Sequence, residues 1–327
     1  MPAQSNVTEV RVTASARLHL GFLDMHGGLG RKFGGLGLAI SGFSTRLTLS
    51  RAETNRVEGA EAERALRLLQ QAQAALAPDG RHHLDISEAI PAHSGLGSGT
   101  QLALAIAGAL RRLEDLPADP ASDAALMERG SRSGLGAGLF QDGGLVVDGG
   151  RGGGGLTPPV IARLPFPAEW RALLVIDRHS VGLHGDSERE AFSALPRFSE
   201  AHAGEICRRV LMQALPALVE RDIGAFGEAI SQIQIVVGDY FAPAQNGRRF
   251  TSAAVETTVA RLMREGATGG GQTSWGPTGF AFVASAAEAQ RISERVLSDA
   301  EAAGVEIVIV EGLAHGARID AIYALMA

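Results

Sequence analysis

The stretch Ile90–Leu110, IPAHSGLGSGTQLALAIAGAL, decides how the rest of the chain is read. Three glycines at alternate positions, Gly95, Gly97 and Gly99, lead into a run that is apolar on nearly every side of a helix and therefore buried. The first N–H groups of a helix have no partner inside it, and that end carries partial positive charge. Glycine lets an anion approach such a backbone closely. The free N–H groups of Gly97 to Thr100 are thus expected to cradle phosphate. Ser94, Ser98 and Thr100 add hydroxyls, with His93 and Gln101 at the margins. The alternative is a loop kept small only to pack a buried helix. The Walker pattern GxxxxGK[ST] is absent. The dinucleotide spacing G-x-G-x-x-G, with an acid about 20 residues on, also does not fit.

Working outward, Val7–Ser15 and Leu18–Phe22 alternate as strands before the turn-rich DMHGGLGRKFGGLG. Ser44–Arg51 is a further strand, residues 61–77 a helix stopped by APDG, and His82–Ile86 a short strand feeding the glycine loop. GLFQDGGLVVDGG reads as a hairpin ending in strand Leu145–Asp148, and Gly149–Pro159 as an exposed flap. A buried strand over Trp170–Asp177 opens the second half. Helical patterns follow at 186–195, 199–220, 222–237 and 251–265. A second glycine-rich segment, GATGGGQTSWGPTGFAFV, then runs into a strand, a helix over 286–303 and the strand 305–310. Strands, a buried helix, then helices mixed with strands predict an α+β protein of two sub-domains with a cleft between them. The division is expected near residue 165, giving 1–165 and 166–327.

Composition narrows the function classes. The 327 residues are 45% hydrophobic and 20% charged, the profile of a water-soluble globular protein. No apolar run is long enough to span a bilayer, and MPAQSNVTEV lacks the pattern of a secretory signal, so a cytoplasmic enzyme without membrane contact is expected. Net charge is −6 with scattered basic residues, which argues against nucleic acid as a partner. The lone Cys207 excludes an internal disulfide and a cysteine metal cluster. Of 30 basic residues only Lys32 is lysine, a bias that draws attention to its position.

The segment PAHSGLGSG resembles the first phosphate-binding motif of the GHMP kinase superfamily, P-x-x-x-G-L-G-S-S. That resemblance implies a ribosomal-protein-S5-like N-terminal domain and a ferredoxin-like C-terminal domain. Within the superfamily, five stretches resemble the beta-ribofuranosylaminobenzene 5'-phosphate synthases of methanopterin biosynthesis. They are ARLHLGFLDMHGGLGRKFGGLGLAI, IPAHSGLGSGTQLALA, GLFQDGGLVVDGG, GLHGDSEREAF and GQTSWGPTGFAF, spread from near residue 14 to near 282. The last is the most specific, because kinases carry a glycine-dense loop in its place. The resemblance implies a decarboxylating union of phosphoribosyl pyrophosphate with 4-aminobenzoate or 4-hydroxybenzoate, Mg2+ with the pyrophosphate, no organic cofactor and a homodimer.

A GHMP small-molecule kinase using ATP is the alternative, and two departures weigh against it. The S-G-x-D pattern of many such kinases is Ser133-Gly134-Leu135-Gly136 here, and the second serine of GLGSS is Gly99. Both remove groups that a phosphoryl transferase uses to activate a hydroxyl and hold magnesium. A non-catalytic binder of a phosphorylated metabolite is a third reading. Under the synthase reading, Arg17, Arg31 and Lys32 are candidates for the remaining phosphate charge, with Arg17, Lys32 and Asp24 as the catalytic set. Asp24 and Glu188 are candidate Mg2+ ligands. Gln272, Thr273, Ser274 and Trp275 are candidates for the sugar phosphate or the arene, and Trp275 reads equally as core. Each charged candidate has the alternative of a solvated surface charge.

Overall fold

The computed structural model describes residues 6–155, 157–180, 195–274 and 276–324. Its longest elements are two paired strands, β1 (Val7–Asp24) and β2 (Phe33–Arg51). Even-numbered residues of β1 from Val10 to Phe22 are buried, but they serve two cores. Val10, Val12 and Ala14 join one cluster, and Ala16, Leu18, Leu20 and Phe22 join another. The change falls where Ser15 pairs with Ser44 but Ala16 pairs with Ile40, leaving extra residues in β2 around Gly42 at φ 84°. Such an irregularity bends a strand and re-aims its side chains.

The upper part of β2 pairs with β4 (His82–Glu88), which holds β3 (Arg56–Gly59) in parallel on its other side. The lower part pairs with β5 (Leu145–Asp148), which in turn pairs with β6 (Val160–Leu164). Helices α1 (Ala62–Leu76) and α2 (Ser98–Leu113) cover one face of this sheet. Ten residues of α2 are buried, as its all-round apolar pattern requires. Next come α3 (Pro120–Leu126), started by the Asp119 cap and Pro120, and α4 (Leu135–Asp142).

A second, four-stranded antiparallel sheet has the order β10 (Glu306–Glu311), β7 (Arg171–Ile176), β9 (Thr278–Val283), β8 (Thr268–Gln272). Strands β7 and β9 are continuous apolar runs because both faces of the sheet are covered. Val255, Val259, Leu262, Ile292 and Val296 pack one face, from helices over Ala253–Arg264 and Ala286–Ala302. On the other face lie Phe280, Phe282, Phe226, Trp170 and Phe166, next to the helix Ile223–Phe241. Ile233 of that helix seats on Gly21 of β1, where a side chain would not fit. Ser199, Asp222, Ser252 and Ser285 cap four helices of this half through side-chain oxygens.

Several sequence expectations are revised. The GLFQDGG segment is helix α4 and a glycine turn, not a hairpin strand; its residues from Leu135 to Phe140 are buried together, so they show no strand alternation. The turn-rich GGLG after Lys32 belongs to β2, with Gly35 and Gly37 bare because Leu135 Cδ1 lies 2.8 and 3.0 Å from where a Cβ would stand. The helix expected over 199–220 is broken by a π turn at Val210–Ala214. The expected flap is tied by mutual Lys32 and Arg151 backbone bonds of 2.9 and 2.7 Å. The C-terminal part does not stay with the second sheet, since β11 (Arg318–Tyr323) pairs antiparallel with β1. The helix expected at 186–195 falls almost wholly outside the described residues. No helix among the described residues is long and apolar enough to cross a membrane.

The two halves meet at the glycine loops. Thr273, fully buried, accepts the His19 N–H on Oγ1 at 2.8 Å and donates the same hydroxyl to the Gly95 carbonyl at 3.2 Å. Gln234 donates to the Leu20 carbonyl at 2.8 Å and accepts the Gln272 N–H at 2.8 Å. Thr273→Val keeps the shape but strands the His19 N–H in a buried place. We expect it to lower stability by about 1–3 kcal/mol, read as a shifted urea midpoint. An unchanged midpoint would show that this hydroxyl does not hold the halves together.

Candidate anion-binding site

Strand β4 delivers the chain to Pro91, and the loop up to Gly97 is shaped by its own turns. The buried Ser94 hydroxyl donates to the Pro91 carbonyl at 2.8 Å, so it braces the turn instead of facing a ligand. Gly95 and Gly97 both lie at φ 83°, with His93 at φ 58°. For histidine this left-handed backbone costs about 1–2 kcal/mol, for glycine almost nothing. The Arg17 N–H donates to the Leu96 carbonyl at 3.0 Å and pins the loop to β1. A Cβ on Gly97 would stand 2.7 Å from Arg17 Cγ and 2.9 Å from Nε, so glycine lets the arginine lie against the loop.

Helix α2 starts at Ser98, one residue past Gly97. The expected set of free N–H groups needs one correction, because Thr100 and Gln101 both donate to the Gly97 carbonyl at 3.1 Å. Among the described residues the N–H groups of Gly97, Ser98 and Gly99 have no backbone partner, an arrangement able to take an anion. Gln101 is buried and donates to the Gly136 carbonyl at 3.3 Å, which makes it part of the α2–α4 contact.

The second glycine segment closes on this loop backbone to backbone. A Cβ on Gly276 would overlap Gly95 Cα, and one on Gly95 would stand 2.6 Å from the Thr273 carbonyl oxygen. Ser274, at φ 51°, lines the cleft beside Gly276. Gln272 turns away from it, donating to Gln245 Oε1 and the Ser274 carbonyl at 3.0 Å each and accepting the Thr251 N–H at 2.6 Å. Trp275 and Glu188 lie outside the described residues.

The cleft so formed measures about 1020 Å³ and is lined by the loop, Ser274, Gly276, the first turns of α1, and Arg17, Arg64, Arg67 and Arg129. Nε and Nη1 of Arg17 are shut off from water and have no hydrogen-bond partner among the described residues. Burial lowers the pKa of Arg17, with the charge of Asp148 acting against that. Arg129 is lowered by burial and then by the neighbouring Arg64, and its Nε is also buried without a partner. Arg64 and Arg67 pair with Glu61 and Glu63 of the same wall at 3.5 and 2.6 Å. Sequence reasoning missed these three arginines. The three-residue spacing of Arg64 and Arg67 on one helix face was a usable signal, whereas Arg129 offered none.

The other charged candidates lie elsewhere. Asp24 is seven residues beyond Arg17 on β1, on the order of 20 Å away at strand rise, and its Oδ1 accepts the N–H groups of His26 and Gly27 at 2.7 and 2.9 Å. Arg31 donates to the Gly149 and Gly150 carbonyls, and Lys32 Nζ sits 5.5 Å from the centre of the Phe33 ring. These three assemble at the β1–β2 turn and do not line the cleft. No group of three or more His, Cys, Asp or Glu side chains suited to a metal occurs among the described residues.

The two positions that depart from the kinase pattern are both filled. A Cβ on Gly99 would overlap Arg64 Nη2, and one on Gly136 would overlap Thr100 Cγ2. The segment before α4 is anchored by buried Asp148, which accepts from Ser133 Oγ at 2.7 Å, Gly134 N–H at 3.1 Å and Gly150 N–H at 2.8 Å. Burial raises the pKa of Asp148 and these bonds lower it, the burial being larger.

His19 lies behind the loop with Nε2 unpartnered, and burial followed by the Arg17 charge holds its pKa down to about 3. Its unfolded value is near 6.5, so the folded state favours the neutral ring. The stability from this group is complete above about pH 6.5 and is lost as pH falls toward 3, at up to about 1.4 kcal/mol per unit. Asp148, shifted upward, acts in the opposite sense. Urea titrations at pH 7 and pH 5 are expected to show a larger loss for the native chain than for His19→Gln. Equal losses would contradict the buried neutral imidazole.

Residues 60–142 match the model of the GHMP kinases N terminal domain, and residues 214–302 that of the GHMP kinases C terminal domain. The chain is 30% identical over 293 residues to the beta-ribofuranosylphenol 5'-phosphate synthase of Methanothermobacter thermautotrophicus, covering 83% of this chain and 88% of that protein. It is 33% identical over 237 residues to the synthase of the same name from Archaeoglobus fulgidus, covering 69% and 75%. Among solved structures, homoserine kinase from Cytophaga hutchinsonii superposes with a TM-score of 0.68 at 17% identity, over 98% of this chain and 100% of that one. Mevalonate diphosphate decarboxylase from Staphylococcus aureus gives 0.68 at 15%, over 96% and 98%. At such identities these structures establish the fold alone. Identity at this level across most of both sequences, on a GHMP kinase fold, means that the chain belongs to the beta-ribofuranosylphenol 5'-phosphate synthase family.

Proposed function

We propose that this enzyme is a pentosyl transferase that joins phosphoribosyl pyrophosphate to a 4-substituted benzoate, releasing pyrophosphate and CO2 and leaving a C-riboside 5'-phosphate in methanopterin biosynthesis. The observation that carries this reading is the cleft itself. Guanidinium groups and open backbone N–H groups converge on it, and Arg64 and Thr100 stand where a GHMP kinase keeps its serine and aspartate. The names of the relatives specify a ribofuranosylphenol product, which corresponds to 4-hydroxybenzoate; 4-aminobenzoate gives the aminobenzene analogue.

The chemistry suits such a site. The bond from ribose C1 to the pyrophosphate oxygen breaks, and its electron pair departs with pyrophosphate. The ring carbon bearing the carboxylate forms the new bond to C1, helped by electron donation from the para substituent. The carbon–carboxylate bond then breaks, its electrons restore the aromatic ring, and CO2 leaves. Starting from an ionised carboxylate, this balances without a proton donor or acceptor. The protein has to stabilise a departing polyanion and a cationic sugar, which is electrostatic work.

Gly97, Ser98 and Gly99 N–H groups, with the Ser98 and Thr100 hydroxyls, bind the pyrophosphate, and Arg17 beneath them supplies fixed positive charge. Magnesium bound to the pyrophosphate would neutralise part of its charge. Glu61 and Glu63 are the described acids in the cleft wall, a donor set that suits an ion held mainly by phosphate oxygens. Ser274 faces the remainder of the substrate. Homodimeric assembly and a cytoplasmic location belong to the same proposal.

With Mg2+ and phosphoribosyl pyrophosphate, the purified protein is expected to release labelled CO2 from carboxyl-labelled 4-hydroxybenzoate or 4-aminobenzoate without ATP. No release from either acid, together with ATP turnover on a small alcohol, would replace this reading with the kinase. Gly97→Ala is expected to lower pyrophosphate affinity at least tenfold, since its Cβ would press on Arg17 and strain the left-handed backbone. Unchanged affinity would mean that the loop only packs α2.

A further inference from the structure

Besides Arg17 the cleft carries three guanidinium groups that the glycine motif does not explain; Arg67 is paired with Glu63 at 2.6 Å, and the other two converge. Arg64 reaches over from the first turn of α1, and Arg129 comes from the chain just after α3. Both crowd the same point above the start of α2. A Cβ on Gly99 would overlap Arg64 Nη2, and it would stand 3.8 Å from Arg129 Cζ. The two like charges are therefore neighbours, and each disfavours the other.

Their surroundings offset this only in part, since the charge of Glu128 favours Arg129 against burial and Arg64. Among the described residues Arg64 forms an ion pair with Glu61 alone, at 3.5 Å and with both side chains partly exposed. Arg129 makes no ion pair among the described residues, and its Nε is buried without a partner. Arg17, against Gly97, adds two more buried nitrogens without a partner, Nε and Nη1. Two cations held side by side at the N-terminal end of a 16-residue helix call for an anion of more than one charge. A planar guanidinium matches phosphate oxygens in pairs, and two at an angle match a diphosphate better than a single phosphate ester.

We propose that Arg64 and Arg129 form a fixed pair that grips the outer phosphate of the leaving pyrophosphate, so that they select a diphosphate over a sugar monophosphate at this end of the cleft. This assignment rests on the synthase reading for its substrate. It gives the bare Gly99 a purpose: any side chain there would displace Arg64. It also orients the substrate, with the pyrophosphate at the α1 wall and the ribose 5'-phosphate pointing away from it. The pair stabilises the leaving group from beside Gly99 while Arg17 lies beside Gly97, leaving the loop N–H groups for the bridging region.

The test is binding to the intact protein with inorganic pyrophosphate and ribose 5-phosphate as separate probes, both in Mg2+. Arg64→Gln and Arg129→Gln are each expected to weaken pyrophosphate about 10- to 100-fold, the range of a charge-assisted bond, and to change ribose 5-phosphate less than twofold. Arg64→Lys should recover only part of the loss, because it restores charge without the fork. Arg56→Gln, on a surface arginine paired with Glu58, should leave both affinities unchanged and controls for net charge. Loss of ribose 5-phosphate affinity with pyrophosphate retained would overturn the assignment, as would no change in either. Pyrophosphate binding is read without turnover. If the variants behave as expected while the native chain releases no CO2 from either benzoate, the arginine pair stands and the synthase reading falls. If CO2 is released but the variants bind pyrophosphate normally, the reverse holds.

Discussion

The contact between Gly95 and Gly276 is the constraint on which the cleft depends. Two backbones approach so closely there that neither residue has room for a side chain, and the buried Thr273 hydroxyl bonds across the same seam. The anion loop is consequently shaped by residues nearly 180 positions later in the chain. Arg17 completes the arrangement from below, since its N–H holds Leu96 while its side chain lies against Gly97. Loop, strand and second glycine segment thus fix one another, and the open N–H groups of α2 are presented by a rigid frame. That is what preorganised binding of a charged group requires.

Charge in this frame is unbalanced in a way that has functional meaning. Burying a guanidinium without a partner is costly, yet Arg17 and Arg129 both have buried, unpartnered nitrogens. Among the described residues the nearby carboxylates are engaged: Asp148 by Ser133 and the backbone, Glu61 and Glu63 by their own arginines, and Glu128 lends Arg129 charge without an ion pair. A polyanionic ligand removes the imbalance. The proposed reaction needs that electrostatic service and no proton relay, which accords with a His19 kept neutral by burial and without a partner for Nε2. On the same fold, a kinase spends the Gly99 and Gly136 positions on oxygen ligands; here Arg64 and Thr100 occupy that space.

Much of the backbone plan was legible from local pattern. The glycine loop, the buried α2, strand β7 and the helices capped by Ser252 and Ser285 follow from periodicity and capping chemistry, which act within a few residues. Helix α4 was misread because a segment buried on all sides has no amphipathic period to detect. Strand β11 and the glycine-rich start of β2 were missed for a related reason, since their partners supply the reason to be extended. In the site, hydroxyl and glycine residues of the motif were legible, but Ser94 and Gln101 turned out to serve the scaffold.

The sequence by itself determined that a glycine loop suited to an anion stands at a helix start, that GQTSWGPT accompanies it, and which family shares both. Those properties are carried by short motifs whose chemistry is local. Only the tertiary structure decided which charges gather round the loop. It brought Arg64 and Arg129 to Gly99 from separate elements, and it left Asp24, Arg31 and Lys32 at the far end of a long strand pair. The physical reason is that a charge acts over a few ångströms of space, and strand pairing and helix packing set those distances irrespective of position along the chain.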